Sequence, residues 1–323
     1  MKIAPFLKVI GRGKEGARAL DADQAFAVMA AVLDGEVGEV ELGAFVMAMR
    51  IKGESQAELG GFLRAVHARC LPLTPTRSTV VLPSYNGARK LPNLTALLAL
   101  LLAQQDIQVL VHGPLRDPGR VTSAEVFQTL GLPRARDADD MAEAWRRREP
   151  VFMAIEDLCP SLARLLDVRW QVGLRNSGHT IAKLLDPCSG GQSLRVVNYT
   201  HPEYGSSLKT FLQESQADAL LMRGTEGEPV ADPRRLPRID VFISGIHRPE
   251  LSLAPQEGVL TEMPLLPRET DASTTALYIQ SVISGERPAP LPLQQQVRCL
   301  SDALEALRSK PIFEPRQGSA RHP

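Results

Sequence analysis

The chain has little to make a covalent or metal framework with. Its four cysteines, Cys70, Cys159, Cys188 and Cys299, are scattered over 323 residues with no CxxC pair. That argues against a zinc site or a disulfide scaffold and fits a reducing compartment. Net charge is also missing, with 37 Lys+Arg against 37 Asp+Glu, so any attraction to a polyanion has to come from uneven placement of charge. No apolar run approaches the roughly twenty residues of a membrane span, and the apolar part of "MKIAPFLKVIGRGKEG" is too short for a signal peptide. The expectation is a soluble, cytoplasmic protein with no membrane partner. One absence is local: no Asp or Glu occurs from Val168 to Leu185.

What is present is an ordinary globular composition, 44% hydrophobic and 23% charged, long enough for two domains. The acid-free stretch contains "RNSGHTIAKLLDP" (175–187), where Arg175, His179 and Lys183 recur every four residues. Such spacing predicts one face of a helix. It reads either as a solvated basic face over Ile181, Leu184 and Leu185 or as an anion-binding stripe. On either reading the charges are expected to be exposed, and their removal to leave stability nearly unchanged.

The first 70 residues read as helices. Asp21 with Gln24, and Ser55 with Glu58, have the spacing of capping boxes, and Gly35 suits a helix stop. Between them Leu42, Phe45, Val46 and Met49 share a face that suits a core or a subunit interface. After a linker-like "LPLTPTRS" (71–78), short β-branched runs appear at "TVVLP", "IQVLVH", "VFMAI", "LRVVNY", "ADALLMR" and "IDVFIS". Helical patterns such as "NLTALLALLLAQQ" and "SLKTFLQESQ" lie between them. Strands alternating with helices predict an α/β fold with a mostly parallel central sheet and flanking helices behind a small N-terminal helical domain. The expected division is 1–74 helical, 75–315 α/β, with 160–187 helical and packed near the helical domain, and 316–323 a flexible polar tail.

The order of these pieces resembles anthranilate phosphoribosyltransferase and the wider nucleoside phosphorylase-like transferases of glycosyltransferase family 3. "VLDGEVGEVELGAFVMAMRIKGESQAELGGFLRA" is similar to that family's helical domain, and "VLVHGPLRDPGRVTSAEVFQTLG" to its KHGN-containing strand, loop and helix. "HTIAKLLDP" resembles its "LGPLLNP" segment and "ALLMRGTEGE" its "HGxDGLDE" segment. The resemblance covers most of residues 20–290. It implies a homodimer formed through the helical domain, and a cleft that takes phosphoribosyl diphosphate with magnesium.

The residues that would do this chemistry depart from the family pattern. Where the family has its GTGGD diphosphate loop, this chain has Leu82, Pro83, Ser84, Tyr85 and Asn86, followed by Gly87. Proline offers no N–H to a phosphate. In the "NTFNIST" segment only the final threonine, Thr95, is kept. The KHGN lysine and asparagine become Val111 and Pro114, while His112 and Gly113 stay. The magnesium-binding acidic pair falls on Pro229 and Val230; Glu226 and Glu228 nearby either compensate for it or, as the commoner reading of glutamates near a turn, are merely solvated. Ser84, Tyr85, Asn86, Gly87, His112 and Gly113 thus form a degenerate donor site with no catalytic residue assigned. No cofactor or metal is expected.

Bases gather on the same segments: Arg89, Lys90, Arg116, Arg120, Arg169, Arg175, His179, Lys183 and Arg223. A side branch of the family is understood to bind nucleic acid without transferase activity, and this chain looks like that branch. The reading is a sequence-tolerant binder of DNA, or RNA, through a basic interdomain cleft, since neutralising backbone phosphates releases counterions whatever the sequence. His179 is open to two roles, a protonated phosphate contact or a capping and packing residue. Tyr85 is the better candidate for stacking on a base, ahead of Trp145 and Trp170. Arg146, Arg147 and Arg148 read as a solvated helix end. Two alternatives stand beside this reading: an active pentosyltransferase with an altered donor site, and a small-molecule or protein-binding scaffold.

Overall fold

The protein is described from a computed structural model that places residues 2–190, 192–258 and 264–309; the expected tail, 316–323, lies outside these residues. The chain opens with helices α1 (Ala4–Ile10), α2 (Gly13–Gly16), α3 (Ala22–Leu33), α4 (Glu39–Lys52) and α5 (Gln56–His67). Both capping boxes form: Asp21 accepts from Asp23 and Gln24, and Ser55 accepts from Glu58. The second box is more than a local cap. Glu58 is fully buried, bonds the Leu20 N–H at 3.0 Å and pairs with Lys52 at 2.6 Å, so it ties α3 and α4 to α5.

The remainder interleaves β1 (Thr79–Pro83), α6 (Thr95–Ala103), β2 (Gln108–Gly113), α7 (Ser123–Thr129), β3 (Arg134–Ala135), α8 (Ala138–Arg146) and β4 (Val151–Ala154). Helices α9 (Ile155–Leu158), α10 (Pro160–Val172) and α11 (Ser177–Leu184) then lead to β5 (Ser193–Tyr199), α12 (Pro202–Glu214) and β6 (Ala219–Arg223). The antiparallel strands β7 (Ile239–Ile243) and β8 (Ile246–His247) precede α13 (Ala272–Ile283) and α14 (Leu291–Arg308). Each apolar run singled out in the sequence is a strand. The eight-stranded sheet has the order β3-β4-β2-β1-β5-β6-β7-β8, parallel as far as β6. The fold is α/β with a small helical domain in front.

The strands read as continuous apolar runs because both faces of the sheet are covered. Val197 and Leu221 join the core shared with α3–α5, while their neighbours Val196 and Leu220 join the opposite core beneath α6, α13 and α14. Helices α10 and α11, although late in sequence, pack against α3, α4 and α5. Strand order reverses at β1, which has β2 on one side and β5 on the other. In open α/β sheets ligands bind outside the carboxyl ends of the strands at such a switch point.

Candidate functional site

A cavity of about 650 Å³ opens at that point. Its floor is formed by the end of β5 and by α11, its rim by the loop after β1 and by Arg50 at the end of α4. Six of its lining residues are Arg or Lys (Arg50, Arg89, Lys90, Arg120, Arg175 and Lys183), and two, Glu203 and Glu226, are acidic. Among the described residues, the side chains of Arg50, Arg89 and Lys90 have no ionic partner.

The loop after β1 is held by carboxylates from the turn after β6. Glu228 is 1% exposed, and its Oε1 accepts from the backbone N–H of Asn86 and of Gly87, each at 2.7 Å. Its Oε2 accepts from the Ser84 hydroxyl. Burial pushes the Glu228 carboxyl up from its ordinary pKa, against the hydrogen bonds from Ser84, Gly87 and Asn86 that favour its charge. Glu226 repeats the arrangement one turn outward, with Oε2 accepting from Arg89 N at 2.6 Å and Oε1 from Lys90 N at 2.7 Å. Gly87 makes the first pair possible: its φ is +68°, and a Cβ there would meet Arg120 Cβ at 2.8 Å. The expectation that these two glutamates are merely solvated is therefore wrong. Both are turned from solvent to the loop's N–H groups. Carboxylates stapled to backbone donors in this way are not a donor set for magnesium, which demands near-octahedral oxygen coordination.

The basic stripe also departs from its expected form. Helix α11 begins at Ser177 with Asn176 as its N-cap, so Arg175 precedes the helix and reaches the cavity from a loop, bonded to Asn86 Oδ1. Burial, with Arg169 and Arg120 close by, pulls the Arg175 pKa down. His179 is 7% exposed and its Nδ1 accepts from Asn176 N at 3.3 Å, closing a capping box. Burial, helped by Arg175 and Arg169, pulls its pKa down to about 3. His179 thus fills the capping role, and its ring also lines the cavity. Lys183 is largely buried and donates to Gly227 O at 3.1 Å and Asn198 Oδ1 at 3.3 Å. Burial lowers it to about 8, with Glu228 opposing and Arg175 and Arg120 adding to the shift. The stripe is part of the cavity floor and not a solvated face.

Other expected residues are dispersed. Arg169 is paired with Asp117 at 2.7 Å and lies 3.9 Å over the Trp170 ring. Arg116 lines a separate cavity of about 490 Å³ beside α7, and Arg223 is exposed at the end of β6, away from the basic lining. Tyr85 cannot stack on a base: it is 3% exposed, its hydroxyl 2.7 Å from His112 Nδ1. His112 is itself fully buried, lowered to about 4 by that burial, with Nε2 3.2 Å from Leu185 O. Ser84 and Gly113 lie beneath the loop, where the Gly113 backbone packs on Ser84. The degenerate donor segment thus contributes Asn86 alone to the cavity wall. Trp145 is core, donating to Val109 O at 3.1 Å, and Arg146 and Arg147 pair with Glu143 at the expected helix end.

Sequence reasoning missed Arg50, Asn198, Tyr199, His201 and Tyr204, all on the cavity wall. Asn198 did carry a signal, a lone amide in the apolar run "LRVVNY". It is 2% exposed, and its Nδ2 is buried without a hydrogen-bond partner, the kind of atom that calls for an explanation at a site.

A helical layer, a mostly parallel sheet and a basic cavity at the switch point define a phosphoribosyltransferase-like scaffold. Residues 5–70 match the glycosyl transferase family, helical bundle domain. Over 302 residues the chain is 40% identical to YbiB of Escherichia coli strain K12, covering 93% of each chain. It is 25% identical over 275 residues to anthranilate phosphoribosyltransferase of Thermus thermophilus, covering 84% of this chain and 81% of that one. The crystal structure of the Thermus thermophilus enzyme superposes with a TM-score of 0.70 at 21% identity, over 94% of this chain and 93% of that one. The Saccharomyces cerevisiae enzyme, in complex with PRPP and Mg, gives 0.71 at 13% identity, over 94% and 89%. The chain belongs to this glycosyl transferase family, alongside YbiB and the anthranilate phosphoribosyltransferases.

Among the described residues no helix is long and apolar enough to cross a membrane.

Proposed function

We propose that this protein binds nucleic acid through the basic cavity and its rim, without reading sequence, and does not transfer phosphoribosyl groups. The observation that supports this best is the charge of the lining, six bases against two acids in a chain of zero net charge. Arg50, Arg89 and Lys90 at the rim suit successive phosphates of an extended strand, and binding would be driven by release of counterions. Against transfer stands the loop 84–90, whose N–H groups at Asn86, Gly87, Arg89 and Lys90 are already given to Glu228 and Glu226. A compact diphosphate would have to displace both. We further propose that the active form is a homodimer through α4, which leaves Val40 87% and Ile51 69% exposed.

Fluorescence polarisation with random single-stranded DNA, duplex DNA and RNA at two salt concentrations tests the reading. Binding that weakens steeply with salt and ignores sequence is expected. No binding at low salt overturns it and leaves the altered pentosyltransferase and the small-molecule or protein scaffold.

A further inference from the structure

Two of the four cysteines meet in space although residues 71–158 separate them in sequence. Cys70 ends the turn after α5, and Cys159 is the N-cap of α10. The peptide unit following Cys70 is bonded to the one preceding Cys159, with Leu71 N to Leu158 O at 2.7 Å. This sets Cys70 and Cys159 opposite one another across the bonded peptides, close enough for each sulfur to influence the other's ionisation. Cys159 is completely buried, and Cys70 beside it is half-buried.

The surroundings treat the two sulfurs differently. Cys159 Sγ lies 3.6 Å from Ser161 Oγ in the first turn of α10 and 4.0 Å from Val66 O, while the Leu162 N–H and the Arg69 charge favour its ionised form. Together with the Cys70 thiol these donors outweigh burial and lower the Cys159 pKa, while the same contact and burial raise that of Cys70. The other two cysteines are different. Cys299 donates to Leu251 O at 3.3 Å, and Cys188 is held by burial and Asp186 in the protonated form.

We infer that Cys70 and Cys159 are a redox-active pair that closes into a reversible disulfide when the protein meets a peroxide. The Cys159 thiolate attacks one peroxide oxygen; the O–O bond breaks, and the departing hydroxide takes a proton to become water. The Cys70 sulfur then attacks the resulting sulfenic acid at sulfur. The S–S bond forms, the S–O bond breaks, and hydroxide leaves with the Cys70 proton as a second water. Two thiols are oxidised by two electrons in all, and one peroxide is reduced to two waters. The bond would fasten α5, in the helical layer, to the start of α10, the helix whose opposite end carries Arg169 and leads into Arg175.

The test is hydrogen peroxide titration of the full chain, read by intact mass, thiol count after denaturation and peptide mapping. The expected result is a loss of about 2 Da, a fall from four free thiols to two, a linked peptide joining Cys70 to Cys159, and reversal by dithiothreitol. Cys188→Ser should behave like the parent. Cys70→Ser should lose the linkage and instead gain oxygen, about 16 Da, on Cys159. The inference is overturned if no linkage forms at peroxide levels that oxidise the methionines, or if the linkage involves Cys188, Cys299 or a second chain. The parent's peptide map decides the matter even if a variant fails to fold.

Discussion

Glu226 fixes the backbone of Arg89 and leaves its side chain free. Its Oε2 takes the Arg89 N–H at 2.6 Å, and the guanidinium, unpaired among the described residues, stands at the cavity's rim. The same carboxylate takes the Lys90 N–H and lies 3.8 Å from Arg120 Nη1. An internal anion therefore occupies donors that could hold a phosphate oxygen, and its charge subtracts from the field of the rim.

Replacing it should strengthen anion binding. Glu226→Gln is expected to raise affinity for a random oligonucleotide several-fold and to steepen the slope of log affinity against log salt by about 0.7–0.9, the effect of one further phosphate neutralised. An unchanged slope in polarisation titrations would mean that Glu226 lies outside the path of the ligand.

Arg175→Ala with Lys183→Ala should weaken binding to all sequences alike and flatten the salt slope by about one to two units. The sequence alone leads one to expect no change in stability. The structure predicts a loss of about 1–3 kcal/mol, because Gly227 O and Asn198 Oδ1 lose the Lys183 ammonium in a buried setting. Denaturant melts of the double variant that match the parent would contradict this placement of Lys183.

The pH dependence follows from Lys183, whose pKa is lowered from 10.5 to about 8 in the fold. Above about pH 8 the folded protein has lost this charge, so oligonucleotide affinity should fall there. Stability should move the other way. Between about 8 and 10.5 the unfolded chain binds the proton and the folded one does not, so this residue's contribution to unfolding free energy rises with pH. Lys183→Met should abolish both trends. Parallel titration of parent and variant through about pH 7–10 checks it.

His179→Ala separates a cap from a ligand. With its pKa near 3, His179 stays neutral across about pH 5–8, so the variant should keep the parent's pH profile of binding in that range. It should lose about 1 kcal/mol of stability from the broken capping box. A binding profile that flattens between about pH 5 and 7 in the variant would reinstate the protonated imidazole as a phosphate contact.

For the subunit interface, sedimentation at micromolar concentration should give a dimer, and Ile51→Glu on α4 should give a monomer, since an exposed apolar face cannot bury a charge at low cost. A parent that sediments as a monomer rules out the dimer.

The sequence by itself determined the architecture. Both capping boxes, the six apolar strands and the α/β alternation were legible because they depend on neighbours within a few residues and on the burial of both sheet faces. It also determined that bases gather near residues 86–90 and 175–183. What it could not determine was which groups face one another across long separations. Glu226 and Glu228 are 136–142 residues from the N–H groups they hold, and nothing in a local glycine-rich turn distinguishes a solvated carboxylate from a buried staple. Arg175, His179 and Lys183 look equivalent at a spacing of four, yet one is a loop residue, one a neutral cap and one a buried amine. Their charge states and contacts are set by burial between α11, β5 and the loop after β1, and burial is a property of the packed molecule alone.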